Sequence, residues 1–156
     1  MKGDPRVLQV LNELLTEELT AISQYVVHGE MCDDWGYARL HKKVEERAIQ
    51  EMKHAEKLIG RIIFLEGTPR VDKLNPIRIG ADVPGQFAND LADEHKAVKS
   101  YNDAIRVCVE AGDAVSRELL EDIVEEEDEH VDWLEQQQEQ IRQMGLAQYL
   151  AIQVRE

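Results

Sequence analysis

The tetrapeptides EMKH, which begins at Glu51, and EDEH, which begins at Glu127, both place a histidine three residues after a glutamate. On a helix these two positions project from neighbouring parts of one face, so each pair is suited to bind one metal ion. Glu18 lies 33 residues before Glu51, and Glu94 lies 33 residues before Glu127. The whole pattern recurs at an offset of 76 residues, which indicates two related halves of one site.

The candidate metal centre predicted from this repeat has six ligands: Glu18, Glu51, His54, Glu94, Glu127 and His130. With neutral histidines, the four carboxylates carry a formal charge of −4, which two divalent cations balance. Six residues can serve two ions only if some carboxylates bridge them. Glu51 and Glu127, each close to its own histidine, are the predicted bridges. That leaves Glu18 and Glu94 as terminal ligands.

The donor atoms favour iron or manganese. Cys32 and Cys108 belong to no CxxC pair, which excludes a zinc ribbon or a rubredoxin-type site. Structural zinc prefers cysteine and histidine in a closed shell, and calcium does not favour imidazole. A shell rich in oxygen with two imidazoles therefore suits iron or manganese. Few protein ligands per ion leave positions open for dioxygen or peroxide, so redox chemistry is favoured over hydrolysis.

Two tyrosines lie near the predicted ligands. Tyr25 and Tyr101 follow Glu18 and Glu94 by two helical turns on the same helix faces. Two interpretations are open for them: core filling with a hydrogen-bonded hydroxyl, or a hydrogen-bond donor or electron source beside the metals. Tyr25 is the favoured candidate for the second role.

The elements that must position these residues are four long helices, each with an apolar face that advances by alternating steps of three and four. The sequence predicts a single all-α domain, a four-helix bundle with a short fifth helix. Its parts are a helical hairpin at 4–66, a crossover at 67–83, a second hairpin at 84–144 and a C-terminal helix at 146–154, within the domain 1–156.

Each long helix carries one glutamate at a position of its apolar face. Burying an unpaired carboxylate costs several kcal/mol, and a domain is stable by only ~5–15 kcal/mol, so cations must compensate four such groups. In each hairpin the midpoint between the two glutamates falls within two residues of a turn glycine, Gly36 or Gly112. Folding there brings the two glutamates level. The crossover can span ~55 Å, enough to make the second and third helices parallel.

Composition excludes several partners. The chain has 32 acidic and 18 basic residues, for a formal net charge of −14. Nucleic acids and anionic membranes both bind basic surfaces, so neither is an expected partner. The N-terminal stretch MKGDPRVLQVLNELL has an acidic residue and a proline where a signal peptide has an apolar run, and no apolar run reaches ~18 residues. We therefore expect a cytoplasmic protein.

Over nearly its whole length the chain resembles bacterioferritin, a ferritin-like di-iron family with this donor set. The resemblance rests on MKGD, LxxxLxxELxAxxQY through Glu18, EMKHA, RIIFLEG, EDEHxDWLE and MGLAQYL. It implies an iron-storage homo-oligomer, a hollow shell of twenty-four subunits built from twofold dimers. Each subunit would oxidise Fe(II) with O2 or H2O2 at a ferroxidase centre formed by the six residues above. Ferric mineral would collect inside, and a ferredoxin-type reductant would release the iron.

The resemblance also implies haem b, bound at the twofold dimer interface through one methionine from each subunit. Met52 holds that position, and its place one residue after Glu51 turns it ~100° away from the metal face. Without the resemblance, interface or surface packing would be its plain role. The groove expected for the haem is lined by Leu19, Ile22, Ser23, Val26 and Met52. The C-terminal helix resembles one that lines a symmetry axis of the shell, the alternative being packing on its own bundle.

The chain departs from the family pattern on the second helix. At positions 45, 46 and 50 many members have tyrosine, histidine and aspartate, whereas this chain has Glu45, Glu46 and Gln50, with Arg47 between them. In the family this surface is implicated in the haem surroundings and in iron movement. No inner-surface iron site is therefore predicted here.

Three alternatives remain open at this point. A stand-alone di-iron oxidase or peroxidase, as in rubrerythrin-like proteins, would use the same centre without storing mineral, but the missing CxxC pairs and the C-terminal helix count against it. DNA-protecting mini-ferritins build their centres between subunits, whereas both half-sites here are on one chain. A metal-free structural bundle would use the polar groups only for interaction.

Overall fold

The computed structural model describes residues 1–155 of the chain, and Glu156, the last residue of the predicted domain, lies outside them. The described residues form five helices: α1 (Pro5–Asp34), α2 (Ala38–Phe64), α3 (Val83–Glu110), α4 (Ala114–Met144) and α5 (Leu146–Gln153). The first four form a bundle and α5 packs against its end, which confirms the predicted all-α fold class. The limits of the domain itself stay a prediction.

Local sequence explains where the helices begin. The Asp4 side chain accepts a hydrogen bond from the backbone of Arg6, and Pro5 takes the first helical position, where its missing N–H costs nothing. Asp82 and Asp113 cap α3 and α4 in the same way. Each of these three helices therefore begins directly after a capping aspartate.

Left-handed backbone closes each hairpin. Gly36 and Gly112 have φ of 81° and 73°, a region that favours glycine because it has no Cβ. At the end of α2 the left-handed residue is Glu66, with φ of 63°, rather than its neighbour Gly67. Gly67 lies close to α1, and a Cβ there would come within 2.5 Å of the end of the Leu8 side chain, which would have to shift.

Two apolar clusters enclose the middle of the bundle. α1 packs against α2, α3 against α4, and the hairpins join mainly through α1 and α3. One cluster includes Leu11, Leu58 and Leu120, and the other includes Leu134 and Tyr149, which α5 contributes. The predicted metal ligands occupy the polar layer between these clusters, where water has little access.

The crossover, residues 65–82, is attached to α1 by a stripe of polar side chains spaced four residues apart. The stripe and the crossover groups that it contacts are Asn12 with Thr68 and Arg70, Thr16 with Arg70, Thr20 with Asn75, Gln24 with Arg78, and His28 with Gly80. Most of these bonds satisfy backbone N–H groups that an irregular segment would otherwise leave unpaired. The crossover thus follows α1 along the bundle, and α2 and α3 both run antiparallel to α1.

α5 combines a buried anchor with exposed apolar residues. The Tyr149 hydroxyl donates to Gln137 of α4 at 2.6 Å and its ring packs edge-on against Phe87. Leu146, Ile152 and Val154, the residue that follows α5, are exposed. Among residues 1–155 no helix is both long and apolar enough to cross a membrane.

Candidate metal centre

The six predicted ligands meet at mid-bundle. α1 supplies Glu18, α2 supplies the first Glu-x-x-His pair, α3 supplies Glu94, and α4 supplies the second pair. Every one of these side chains is buried, with exposure of 3% or less. Their ligand atoms form two groups, within each of which all lie within 4.8 Å of one another: Glu18, Glu51, His54 and Glu127, and Glu51, Glu94, Glu127 and His130.

We name the two groups the His54 half-site and the His130 half-site. Glu51 and Glu127 belong to both of them, whereas Glu18 and Glu94 each belong to one. This arrangement has the geometry expected of two bridging and two terminal carboxylates. The two half-sites are related by the same 76-residue offset as the sequence repeat.

Both histidines turn Nδ1 toward the carboxylates. His54 Nδ1 lies 3.0 Å from Glu127 Oε1 and 3.6 Å from Glu18 Oε2. His130 Nδ1 lies 2.9 Å from Glu51 Oε1 and 3.4 Å from Glu94 Oε1. Each imidazole therefore approaches a carboxylate from the opposite Glu-x-x-His pair, which interlocks α2 and α4 at this level.

The carboxylates are under-satisfied for groups so deeply buried. Glu18 Oε2, Glu51 Oε1, Glu94 Oε2 and Glu127 Oε2 have no hydrogen-bond partner among the described residues. The short approach of His130 Nδ1 to Glu51 Oε1 lacks the alignment of a hydrogen bond. Orphaned buried oxygens are costly, and a cation between them would satisfy several at once. The residues thus fit a pair of metal ions.

Electrostatics supports the same conclusion. Burial, together with the neighbouring negative charges, raises the pKa of Glu18, Glu51 and Glu94. Burial alone would lower the pKa of His54, but hydrogen bonds and the charges of Glu127 and Glu18 raise it to about 10. Burial alone would raise the pKa of Glu127 too, but hydrogen bonds with Glu94, His54 and Glu51 lower it to about 2. Most of the metal-free centre therefore favours bound protons where cations would otherwise neutralise the carboxylates.

The two tyrosines contact the terminal glutamates of the opposite hairpin. The Tyr25 hydroxyl donates to Glu94 Oε1 at 2.5 Å, and the Tyr101 hydroxyl donates to Glu18 Oε1 at 2.5 Å. The sequence placed each tyrosine on the same helix face as its own glutamate and did not predict this exchange. Burial and the adjacent carboxylate hold the pKa of Tyr25 well above its usual value, so its phenol stays protonated.

Sequence reasoning missed the partners of the outer histidine nitrogens. His54 Nε2 lies 2.7 Å from Glu126 Oε2, and His130 Nε2 lies 2.6 Å from Gln50 Oε1. Their positions in the sequence could have indicated them, because Gln50 and Glu126 each directly precede a predicted bridging glutamate. In metal sites such contacts orient the imidazole and select the nitrogen that binds the ion.

A cavity of about 310 Å³ connects the centre with the outside between α1, α3 and the crossover. Its wall includes Glu18, Glu94 and Tyr25 at the inner end and Asn75 and Arg78 of the crossover. Tyr101 does not line this cavity and is fully buried in the apolar core. The two tyrosines, alike in their bonds to glutamate, thus differ in access.

Met52 lies on a different surface from the centre. Its side chain is 46% exposed, and Ile49 of α2 and Val26 of α1 are also exposed apolar residues. Leu19, Ile22 and Ser23 of the predicted groove are half-buried on α1. An accessible thioether within an apolar patch suits an apolar macrocycle shared with a second subunit, so these residues fit the predicted haem site.

The bundle, the crossover and the six converging ligands define the ferritin-like class of helical carboxylate metalloproteins. In agreement, the family model described as the ferritin-like domain matches residues 8–144. A bacterioferritin from Rhodobacter capsulatus is 50% identical over 137 residues, covering 88% of this chain and 85% of that protein. Bacterioferritins from Brucella melitensis biotype 1 and Mycolicibacterium paratuberculosis are each 42% identical, over 96% and 97% of this chain and 92% and 95% of their own lengths. The chain belongs to the bacterioferritin family.

Proposed function

We propose that this protein oxidises Fe(II) at the candidate metal centre and stores the ferric product inside a hollow multimeric shell. The observation that carries the proposal is the pair of overlapping four-residue groups that share Glu51 and Glu127. Two ions held by shared carboxylates are close enough to deliver electrons to one oxidant. Membership of the bacterioferritin family supports the same function.

Fe(II) is the substrate, and the reaction balances as a two-electron step. Each of two Fe(II) ions gives one electron and becomes Fe(III). The two electrons and two protons convert O2 to H2O2, or H2O2 to two waters. The protein binds the two ferrous ions between its apolar clusters and stabilises the added positive charge with four carboxylates.

The cavity between α1, α3 and the crossover is the proposed route for Fe(II) to the centre. All four predicted glutamate ligands, Glu18, Glu51, Glu94 and Glu127, line the cavity, so an ion that enters it reaches both half-sites. Tyr25 donates to Glu94 there and orients that carboxylate. It lines the cavity, whereas Tyr101 does not, and is thus the favoured tyrosine for an electron source beside the metals.

A haem group is part of the proposal, held by Met52 and the apolar patch of α1 and α2. The Met52 thioether would hold the haem iron, and the haem would supply an electron-transfer function. Assembly into twofold dimers and a twenty-four-subunit shell, a cytoplasmic location and a ferredoxin-type reductant for iron release belong to the same proposal. The exposed apolar residues of α5 support its role in subunit contacts.

Anaerobic Fe(II) titration followed by O2 or H2O2 tests the ferroxidase proposal. We expect wild type to bind and rapidly oxidise two Fe(II) per subunit, and Glu127→Ala to lose this fast phase because both half-sites need that carboxylate. Glu129→Ala is the matched control, since Glu129 is exposed on the same helix. Fast oxidation that survives in Glu127→Ala contradicts the proposal.

Particle size separates storage from the alternative of a stand-alone di-iron oxidase. Native mass spectrometry or light scattering should give a large assembly, and iron analysis of that assembly should find ferric mineral retained with it. A dimer that oxidises Fe(II) but keeps no mineral favours the stand-alone enzyme.

The haem proposal has its own test. Met52→Leu preserves apolar packing but removes the thioether, so we expect loss of the haem absorption bands with an unchanged assembly. Ile49→Leu on the same exposed patch is the control. Haem bound equally by both variants would rule out Met52 as the residue that holds the haem.

A further inference from the structure

The two half-sites match in every ligand but differ behind their histidines. His54 Nε2–H donates to the carboxylate of Glu126, and His130 Nε2–H donates to the amide oxygen of Gln50. Gln50 and Glu126 are related by the same 76-residue offset as the ligands. The repeat therefore places an anion behind one imidazole and a neutral amide behind the other.

The neighbours of Gln50 dictate how its amide is turned. Arg47 Nη1 donates to Gln50 Oε1 at 3.1 Å, and Gln50 Nε2 donates to Glu126 Oε2 at 2.6 Å. A guanidinium has only donors and an ionised carboxylate only acceptors, so the amide oxygen must face Arg47 and the amide nitrogen must face Glu126. The same oxygen then accepts the Nε2 proton of His130, which leaves Nδ1 of that ring for a metal ion.

The outer partner changes how strongly each imidazole binds a cation. A carboxylate behind a histidine raises the basicity of the ring and fixes its orientation, and the loss of such a partner typically weakens metal binding by ~10–100-fold. The Gln50 oxygen carries no charge and is shared with the Arg47 guanidinium, so it supports His130 less. In addition, the Arg47 cation lies on the His130 side of the centre.

We propose that Glu126 and Gln50 are positioning residues that make the half-sites unequal, so that the first divalent cation occupies the His54 half-site about tenfold more tightly than the His130 half-site. This inference rests on the proposed function, because it concerns the same centre. Its consequence follows from the two-electron reaction, which needs both ions. The weaker His130 half-site sets the Fe(II) concentration above which the centre oxidises its substrate.

Co(II) alone is a suitable probe, since it binds the same donor types without the ferroxidase reaction. Crystals of metal-free protein loaded with one Co(II) per subunit would be measured by anomalous diffraction, and the solution titrated by calorimetry. For wild type we expect density mainly in the His54 half-site and two binding steps about tenfold apart in affinity.

Two variants separate the proposed role from a structural one. Glu126→Gln gives both histidines an amide partner, so the two half-sites should fill equally. The double variant Gln50→Glu with Glu126→Gln keeps composition and net charge and retains an amide-to-carboxylate bond between the two positions. It should move the first Co(II) into the His130 half-site, an outcome that packing alone would not produce.

Equal occupancy of the half-sites in wild type overturns the inference, as does an unchanged preference in the double variant. Co(II) in neither half-site of wild type overturns the proposed function, and this inference with it. Binding of two Co(II) with equal affinity leaves the proposed function standing, so the two failures are distinguishable.

Discussion

Asp90 of α3 and His28 of α1 form a second acid–histidine cluster that is buried as deeply as the metal centre, with exposures of 3% and 0%. His28 Nδ1 lies 3.0 Å from one Asp90 oxygen and 3.2 Å from the other. Gln24 donates to Asp90 at 2.8 Å, and the Gly80 backbone donates to His28 Nε2 at 3.0 Å. In this cluster both ring nitrogens and both carboxylate oxygens have protein partners.

The metal centre also combines buried acids with histidines, but its carboxylate oxygens are not all hydrogen-bonded. Four of its carboxylate oxygens lack a hydrogen-bond partner within residues 1–155, and several carboxyl groups face one another, which raises the pKa of Glu51. Burial of an acid beside a histidine is therefore not sufficient evidence for a metal site. The informative features are converging carboxylates and oxygens that the protein itself does not satisfy. The Asp90 cluster fastens the crossover, whereas the centre is built to receive cations.

Loss of metal binding should distinguish the two clusters most strongly. Glu51→Ala removes a carboxylate shared by both half-sites, so we expect saturable binding of Co(II) to be abolished. Asp90→Asn should still bind two Co(II) per subunit, because Asp90 belongs to neither half-site. Calorimetric titration of the metal-free proteins measures both stoichiometries. Retention of two Co(II) sites in Glu51→Ala would show that Glu51 is not a ligand shared by the two half-sites.

Stability should change in opposite directions in the two clusters. Asp90→Ala leaves His28 and Gln24 without their buried acceptor, so the free energy of unfolding should fall by about 3 kcal/mol. Glu51→Gln removes the free-energy cost of keeping a buried carboxyl group protonated in the metal-free centre, so the free energy of unfolding should rise by about 1 kcal/mol. Chemical unfolding at one subunit concentration gives both values. A large destabilisation by Glu51→Gln would mean that the ionised carboxylate is already compensated.

The stability of the metal-free protein should fall as pH rises from 5 to 8. Burial raises the pKa of Glu17 from 4.5 to about 7, and burial and like charges raise the pKa of Glu51 and Glu94. A carboxyl with a folded pKa above its unfolded value stabilises the fold while protonated, and this contribution is lost as pH rises through the folded pKa. The raised pKa of His54, about 10, acts in the same direction.

Bound metal should reverse this trend, because ligands must lose their protons to bind cations. Thermal unfolding of metal-free and Co(II)-loaded protein at pH 5, 6, 7 and 8 tests both halves of the expectation. If the midpoint of the metal-free protein rises over this range, the centre does not hold the protons inferred from its geometry.

The smallest expected effect separates Tyr25 from Tyr101. Removal of one hydrogen bond to a terminal glutamate is worth ~1 kcal/mol, so Tyr25→Phe should slow Fe(II) oxidation by about fivefold without changing the binding stoichiometry. Tyr101→Phe removes an equivalent bond but lies outside the access cavity. Stopped-flow oxidation at limiting Fe(II) should show a larger effect for Tyr25→Phe, and equal rates in the two variants would remove any special role for Tyr25.

Much of the site was predictable because it depends on helical periodicity. The repeated Glu-x-x-His pairs, the 33-residue spacing and the turn glycines determine which faces the ligands occupy and at what level. Helix position follows from local sequence, and opposing ligands at one level of a bundle must converge. The exchange of tyrosine partners between hairpins could not be read in this way, since it depends on how closely α1 and α3 approach and on side-chain torsions.

The sequence by itself thus determined the helices, the internal repeat and the six candidate ligands. Only the tertiary structure decided which groups stand behind them: the contacts of Gln50 and Glu126 with the histidines, and the polar stripe of α1 that holds the crossover. The physical reason is the separation in sequence of the residues that interact. Periodicity is a property of neighbouring residues on one helix, whereas a hydrogen bond between distant helices depends on their relative register and spacing, which the packed bundle alone sets.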